Sequence, residues 1–379
     1  MTSTSRQPSR VFMDINPWDF RSRNSDWRYV RYFLPRLREW EPQLDLVFQQ
    51  SRRVTLAANV KTVRVALGRR AGFPASPRTR EADKLDAAEL MRSGCNVIFS
   101  HRGYPVNAGD VPVIWQSSIL DPVMTDQYDS ARDPAERQME VAVRHEFFRR
   151  AAVVQVSTEA EAARLSQTFP ELAGRFVPIP FFLPYLEAAP ESQLERHKSD
   201  ETIEVLFVGN DARRKGLDLL LAAFTSLPAN LLQRARLTVI SNFDDGKVQI
   251  PTGLGSERVT VLRGVPPASV LERMRRSHIL VNVARFESYG FIFPEAMSQG
   301  MVCIGPDWEV QRELLDYGRA GVTLPCDAEA IRLALARLID DPEYRYELAR
   351  NGWIRFRERL HPSVVAKQYA ELFDYPLTS

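Results

Sequence analysis

Two carboxylates, Glu287 and Glu295, stand with seven residues between them in the stretch Arg285-Phe-Glu-Ser-Tyr-Gly-Phe-Ile-Phe-Pro-Glu295. The run before them, 279–284, is apolar and reads as a short buried strand, while residues 296–299 carry a helix to a stop at Gly300. Glu287 then lies on a loop, Gly290 makes a tight turn, and Glu295 falls one turn into the helix. Backbone N–H groups of Tyr289, Gly290 and Phe291 point out of that helix start, where the macrodipole favours negative charge. Phosphate is the natural guest. Alone, two carboxylates at a helix start are an ordinary feature of helices, favoured by the same dipole.

A second stretch repeats the logic with fixed positive charge. In Val205-Leu-Phe-Val-Gly-Asn-Asp-Ala-Arg-Arg-Lys-Gly-Leu217, an apolar strand gives way to Gly209 and Asn210, and then to Arg214 and Lys215. The helix that follows is legible from Leu217, Leu220, Leu221 and Phe224, spaced i, i+3, i+4 and i+7 so that one face is buried. Its start, with the cations, faces out. Arg213 has no matching role and reads as surface. In an open parallel sheet the loops that follow strands emerge on one edge, and ligands bind there where the strand order reverses. Both loops can converge on one diphosphate.

Together these residues resemble the retaining glycosyltransferases of the GT-B fold, family four, also called glycosyltransferase group 1. The resemblance covers roughly residues 203–375 and rests on Gly209, the Arg214-Lys215-Gly216 segment, the Gly264-Val-Pro turn, Glu287, Gly290, Glu295 and the Pro306-Asp307 turn, in family order. It implies an α/β fold, GT-B, with two Rossmann-like domains whose parallel sheets face a central cleft. It also implies a nucleoside-diphosphate sugar as donor substrate, with no cofactor and no metal. Arg214 and Lys215 would hold the leaving diphosphate with the Gly290 and Phe291 amides; Glu287 would bond a donor-sugar hydroxyl and Glu295 the ribose hydroxyls. Gly209 and Asn210 would line the phosphate loop, and Val265 would lie beside the base, leaving uridine and guanosine donors equally open. The acceptor would be a glycan or a lipid-linked glycan, as in bacterial surface polysaccharide synthesis. No metal-ligand cluster such as Asp-x-Asp is evident, and the protein cations replace a metal in this family.

The N-terminal half departs from the family. Met13-Asp-Ile-Asn-Pro-Trp-Asp-Phe20 stands where a Gly-rich loop is usual, Ser118 where a His is usual, and Pro178-Ile-Pro-Phe-Phe-Leu-Pro184 where Asn-Gly precedes the hinge. Asn210 stands where an Arg often supplies one more cation. His101, after Val97-Ile-Phe-Ser100, is at the mouth of a neighbouring strand and is the candidate for contact with donor sugar or acceptor; a lone His is more often structural. These departures motivate a second reading, a non-catalytic GT-B-like subunit that binds a nucleotide sugar or a partner. A different reaction on the same fold, epimerisation or phosphorolysis, is a third. A plain dinucleotide oxidoreductase is a poorer reading still, since no Gly-x-Gly-x-x-Gly follows a candidate strand.

The elements that must position these residues set the domain plan. A chain of 379 residues, 44% hydrophobic, is too long for one ordinary core. Apolar strand runs at 11–15, 44–48, 96–100, 111–116 and 153–157, and again at 203–208, 237–241, 259–262, 279–284 and 302–305, alternate with helical stretches, which argues for parallel sheets with crossover helices. The expected division is an acceptor-side Rossmann-like domain at 1–185, a polar, Pro-containing linker at 186–202, a nucleotide-sugar-binding Rossmann-like domain at 203–360, and a C-terminal helix at 361–379 that returns to the first domain.

No apolar run approaches the roughly 18 residues needed to span a bilayer, and the first ten residues lack the apolar core of a secretory signal. Cys95, Cys303 and Cys326 show no metal-type spacing. The expected compartment is a reducing cytoplasm. Residues 52–92 carry Arg52, Arg53, Lys61, Arg64, Arg69, Arg70, Arg78, Arg80, Lys84 and Arg92, with no acid before Glu81. Such a run suits peripheral contact with an anionic membrane at the inner face, or a charged glycan, and equally a solvated surface. With a net charge of +2 and no recognised nucleic-acid module, nucleic acid is not an expected partner.

Overall fold

The computed structural model describes residues 10–15, 36–48, 93–101, 110–116, 145, 147–242, 248 and 255–374. The chain forms two compact units, Met1–Tyr185 together with Pro362–Ser379, and Leu186–His361.

The first unit holds six parallel strands, β1 (Arg10–Ile15), β2 (Asp45–Phe48), β3 (Val97–His101), β4 (Val113–Gln116), β5 (Val153–Val156) and β6 (Phe176–Pro178), in the order β2-β1-β3-β4-β5-β6. β4 and β5 are buried at every position, the pattern of a parallel strand covered on both faces. Helix α1 (Glu159–Thr168) follows β5. Its start is capped by side chains: the Thr158 hydroxyl oxygen accepts from the Glu161 N–H at 3.2 Å, and the Glu161 carboxylate accepts from the Ser157 N–H, one residue ahead of the cap, at 2.9 Å.

The second unit holds β7 (Ile203–Val208), β8 (Ala235–Ile240), β9 (Val259–Leu262), β10 (Ile279–Val281), β11 (Val302–Pro306) and β12 (Val322–Leu324), parallel and ordered β12-β11-β10-β7-β8-β9. Between the strands run α2 (Leu217–Thr225), α3 (Pro267–Arg275), α4 (Ile292–Ser298) and α5 (Glu309–Leu314); α6 (Ala328–Asp340) and α7 (Pro342–Arg355) follow β12. Leu217, Leu220, Leu221 and Phe224 of α2 are all buried, packed in one core with Val205 and Phe207 of β7 and Ile331, Leu335 and Leu338 of α6. The three-residue β12 carries no sequence signal, and β10 ends three residues before the apolar run does. Residues 282–284 stay buried but leave the ladder, with the Val283 carbonyl turned toward Gly216.

Residues 186–202 pack on this second unit. Leu186 and Leu194 are buried. The Arg196 guanidinium donates to the carbonyls of Gln299 and Gly300, each at 2.9 Å, and of Ser277 at 3.1 Å, so it satisfies the C-terminal end of α4. Beyond α7 the chain rejoins the first unit as α8 (Pro362–Asp374). There the Tyr369 hydroxyl accepts from Gln116 Nε2 at 2.7 Å, and the Tyr369 and Phe373 rings meet Phe99 edge-on. Among the described residues, no helix is long and apolar enough to cross a membrane.

Candidate functional site

Strand order reverses once in the second sheet. The chain runs from β7 outward to β8 and β9, then returns to the other side of β7 with β10 and continues to β11 and β12. The loops after β7 and β10 therefore leave neighbouring strands at the switch point, where a parallel sheet opens a crevice. These are the two loops that carry Arg214 and Lys215 on one side and Glu287 on the other.

They are joined residue by residue. The Arg285 N–H donates to the Arg214 carbonyl at 2.8 Å, and Arg214 Nη1 donates to the Phe286 carbonyl at 2.6 Å. Lys215 Nζ donates to Glu287 Oε2 at 3.0 Å, with Arg214 Nη1 at 3.8 Å from the same oxygen. Gly216 closes the seam. Its φ is +79°, and a β-carbon there would come within 2.3 Å of the Val283 carbonyl oxygen, so a side chain would force the loops apart. Helix α2 begins only after Gly216, which places Arg214 and Lys215 in the turn ahead of it. Their side chains and that of Glu287 are 23%, 18% and 12% exposed, so the three charges meet in a partly dry crevice where electrostatic interactions strengthen.

Gly290 makes the turn into α4 with φ +83°, and a β-carbon would strike the Phe293 ring at 2.6 Å. The Phe293 N–H donates to the Gly290 carbonyl at 3.0 Å and the Glu295 N–H to the Phe291 carbonyl at 3.3 Å, which starts the helix directly after the turn. Phe291 and Glu295 are half-buried. Both ends of the Glu287 loop are held from α5 and the cap residue ahead of it: Trp308 Nε1 donates to the Ala284 carbonyl at 3.2 Å and Gln311 Nε2 to the Tyr289 carbonyl at 3.0 Å. Gln311 is fully buried.

The outer loops of the same edge are chained by asparagines. Asn210 Oδ1 accepts from the Asn242 N–H at 3.1 Å, and Asn242 Oδ1 accepts from the Gly264 N–H at 2.7 Å. The Gly209 N–H donates to the Ile240 carbonyl at 3.0 Å. Asn210 is thus a loop fastener where the family's pattern has a cation, and Val265 sits directly after the fastened turn. Sequence reasoning missed Asn242, Trp308 and Gln311, which carry no spacing signal because each acts on a backbone far away in the chain.

His101 closes β3, paired in register with Ile15 and Gln116. It belongs to the first unit, whose strand order also reverses, between β1 and β3. Ser118 and the basic run at 52–92 lie outside the described residues. Among the described residues no group of three or more His, Cys, Asp or Glu side chains could hold a metal ion. What the second unit assembles is two cations and a carboxylate beside a glycine turn, groups that can bind a diphosphate and stabilise charge developing on it.

Residues 190–354 match the family described as Glycosyl transferases group 1. Over 177 residues the chain is 28% identical to a phosphatidyl-myo-inositol mannosyltransferase of Mycolicibacterium smegmatis, a stretch that covers 45% of this chain and 44% of that relative. The match thus spans less than half the length of this curated relative. Sucrose-phosphate synthase from Thermosynechococcus elongatus superposes with a TM-score of 0.68 at 18% identity, covering 97% of this chain and 98% of that one. Anabaena HepE, solved in complex with UDP, gives a TM-score of 0.64 at 14% identity over 96% of this chain and 99% of its own. The resemblance read in the sequence holds, and the fold class is the expected α/β fold of GT-B glycosyltransferases, with two parallel six-stranded sheets.

Proposed function

We propose that this chain, similar over residues 190–354 to the group 1 glycosyltransferases, is a retaining, metal-independent glycosyltransferase. It moves a hexosyl group from a nucleoside-diphosphate sugar to a glycan or lipid-linked acceptor in bacterial surface polysaccharide synthesis. The observation that carries the reading is the meeting of Lys215, Arg214 and Glu287 at the switch point of the second sheet. A relative named a phosphatidyl-myo-inositol mannosyltransferase supports a hexosyl donor and a lipid-linked acceptor, and a neighbour of like fold solved with UDP supports a nucleotide donor.

In this reading Arg214 and Lys215 hold the diphosphate with the Gly290 and Phe291 amides, Gly209 and Asn210 shape the phosphate loop, Glu287 takes a sugar hydroxyl, Glu295 the ribose, and Val265 flanks the base. The acceptor oxygen bonds to the anomeric carbon on the face from which the phosphate oxygen departs. Its proton goes to that phosphate, so no protein base is required. Preorganised cations lower the barrier by stabilising the leaving group's charge, and no cofactor is involved. His101 contacts donor sugar or acceptor. The protein works in the cytoplasm at the inner face of the membrane, with residues 52–92 against anionic lipid.

The test is release of nucleoside diphosphate from a panel of UDP- and GDP-hexoses, with and without EDTA. Release that resists EDTA and falls about a hundredfold or more in Lys215→Ala and Glu287→Ala supports the reading. Near-normal release in either variant overturns it.

A further inference from the structure

Arg285 opens the Glu287 loop, and nothing in its sequence position marks it as more than a surface cation. In the structure its guanidinium is occupied. Nη1 donates to Asp218 Oδ1 at 2.8 Å and also to the Arg213 carbonyl, and Nη2 donates to Asp218 Oδ2 at 2.7 Å. The fork geometry is one that only arginine supplies, since a lysine ammonium cannot engage both carboxylate oxygens in parallel. Asp218 is the second residue of α2, where the helix dipole also favours a carboxylate.

We infer that the Arg285–Asp218 pair is a positioning device that fixes the register of Arg214 and Lys215 against Glu287, and so sets how tightly a donor diphosphate is held. The inference rests on the function proposed above. Arg285 reaches the cation loop three ways: through its own N–H to Arg214, through Nη1 to Arg213, and through Asp218 to the first turn of the helix that follows Lys215. With Nη1 and Nη2 engaged in these contacts, Arg285 acts through Lys215 rather than on a ligand. Burial pushes the Asp218 carboxyl up, but the Arg285 guanidinium outweighs this and holds it below the ordinary range, so the pair stays charged at neutral pH.

The experiment is a double-mutant cycle read by calorimetric titration of the full chain with UDP and with GDP. Arg285→Lys and Asp218→Asn are each made in the wild type and in Lys215→Ala, with unfolding midpoints recorded. The expected result is about a tenfold loss of affinity for the nucleotide the wild type binds, with that loss largely gone in the Lys215→Ala background, because residues acting through one another are not additive. Asp218→Asn keeps the test open should Arg285→Lys fold poorly. Unchanged affinity, or the same loss in both backgrounds, overturns the inference. A wild type that binds neither nucleotide overturns the proposed function instead.

Discussion

Lys215 Nζ lies 3.0 Å from Glu287 Oε2, and Arg214 Nη1 lies 3.8 Å from that same oxygen. One carboxylate therefore shares two cations, and a diphosphate oxygen that takes Lys215 competes with Glu287 for it. On the proposed function, Glu287 tempers the affinity of the site for diphosphate while keeping both cations in place.

Replacing Glu287 by Gln removes the competing charge and keeps the shape. UDP or GDP should then bind roughly fivefold tighter, as fits about 1 kcal/mol for a partly exposed ion pair, while turnover falls about a hundredfold. Calorimetric titration beside an activity assay separates the two effects; affinity and turnover falling together would remove the competition from the account.

Gly216→Ala places a methyl group against the Val283 carbonyl at a φ of +79°. The left-handed conformation alone costs about 1–2 kcal/mol for a residue with a β-carbon, and the clash adds to it. The unfolding midpoint should fall by roughly 4–8 °C, measured by circular dichroism.

Gln311→Leu keeps the volume of the α5 brace and deletes its bond to the Tyr289 carbonyl. The expected loss is about 1–3 kcal/mol of stability, because a buried backbone acceptor loses a partner. Nucleotide affinity should fall with it, since Gly290 and Phe291 follow that carbonyl directly. Denaturant unfolding and nucleotide titration on the same preparation check both.

Acid should loosen the second unit before it reaches the carboxylates. Burial lowers the His278 imidazole to about 4, and the Arg196 and Arg345 cations push the same way against the opposing Asp200 carboxylate. His197, its ring 5.3 Å away, is also held well below its ordinary value by burial. Both are neutral in the fold and charge in the unfolded chain, so their contribution is complete above about pH 6.5 and is lost as pH falls, for His278 toward about 4. For His278 alone this amounts to about 3 kcal/mol. His278→Gln should flatten the stability curve between pH 6.5 and 4, and an unchanged slope would contradict the assignment.

Much of this was legible in the chain. Parallel strands announced themselves as apolar runs, and the two site loops as glycine and charge where those runs stop. The face of α2 followed from four residues at helical spacing. Other features have no local period to read. Arg285 and Asp218 are 67 residues apart, Gln311 and Tyr289 22, and Asn242 and Gly264 22. Such partners are chosen by the sheet's strand order, which sequence spacing does not encode. Residues 186–202 are polar by composition, yet Leu186 and Leu194 are buried and Arg196 finds backbone carbonyls as partners.

The most direct test is thermal unfolding of the wild type and of Lys215→Ala with millimolar UDP or GDP. A ligand at about a hundredfold over its dissociation constant adds roughly 2.7 kcal/mol. The account predicts that one of the two nucleotides raises the wild-type midpoint by several degrees and raises that of Lys215→Ala by clearly less. A wild type unmoved by both, or a variant raised as much as the wild type, would contradict it.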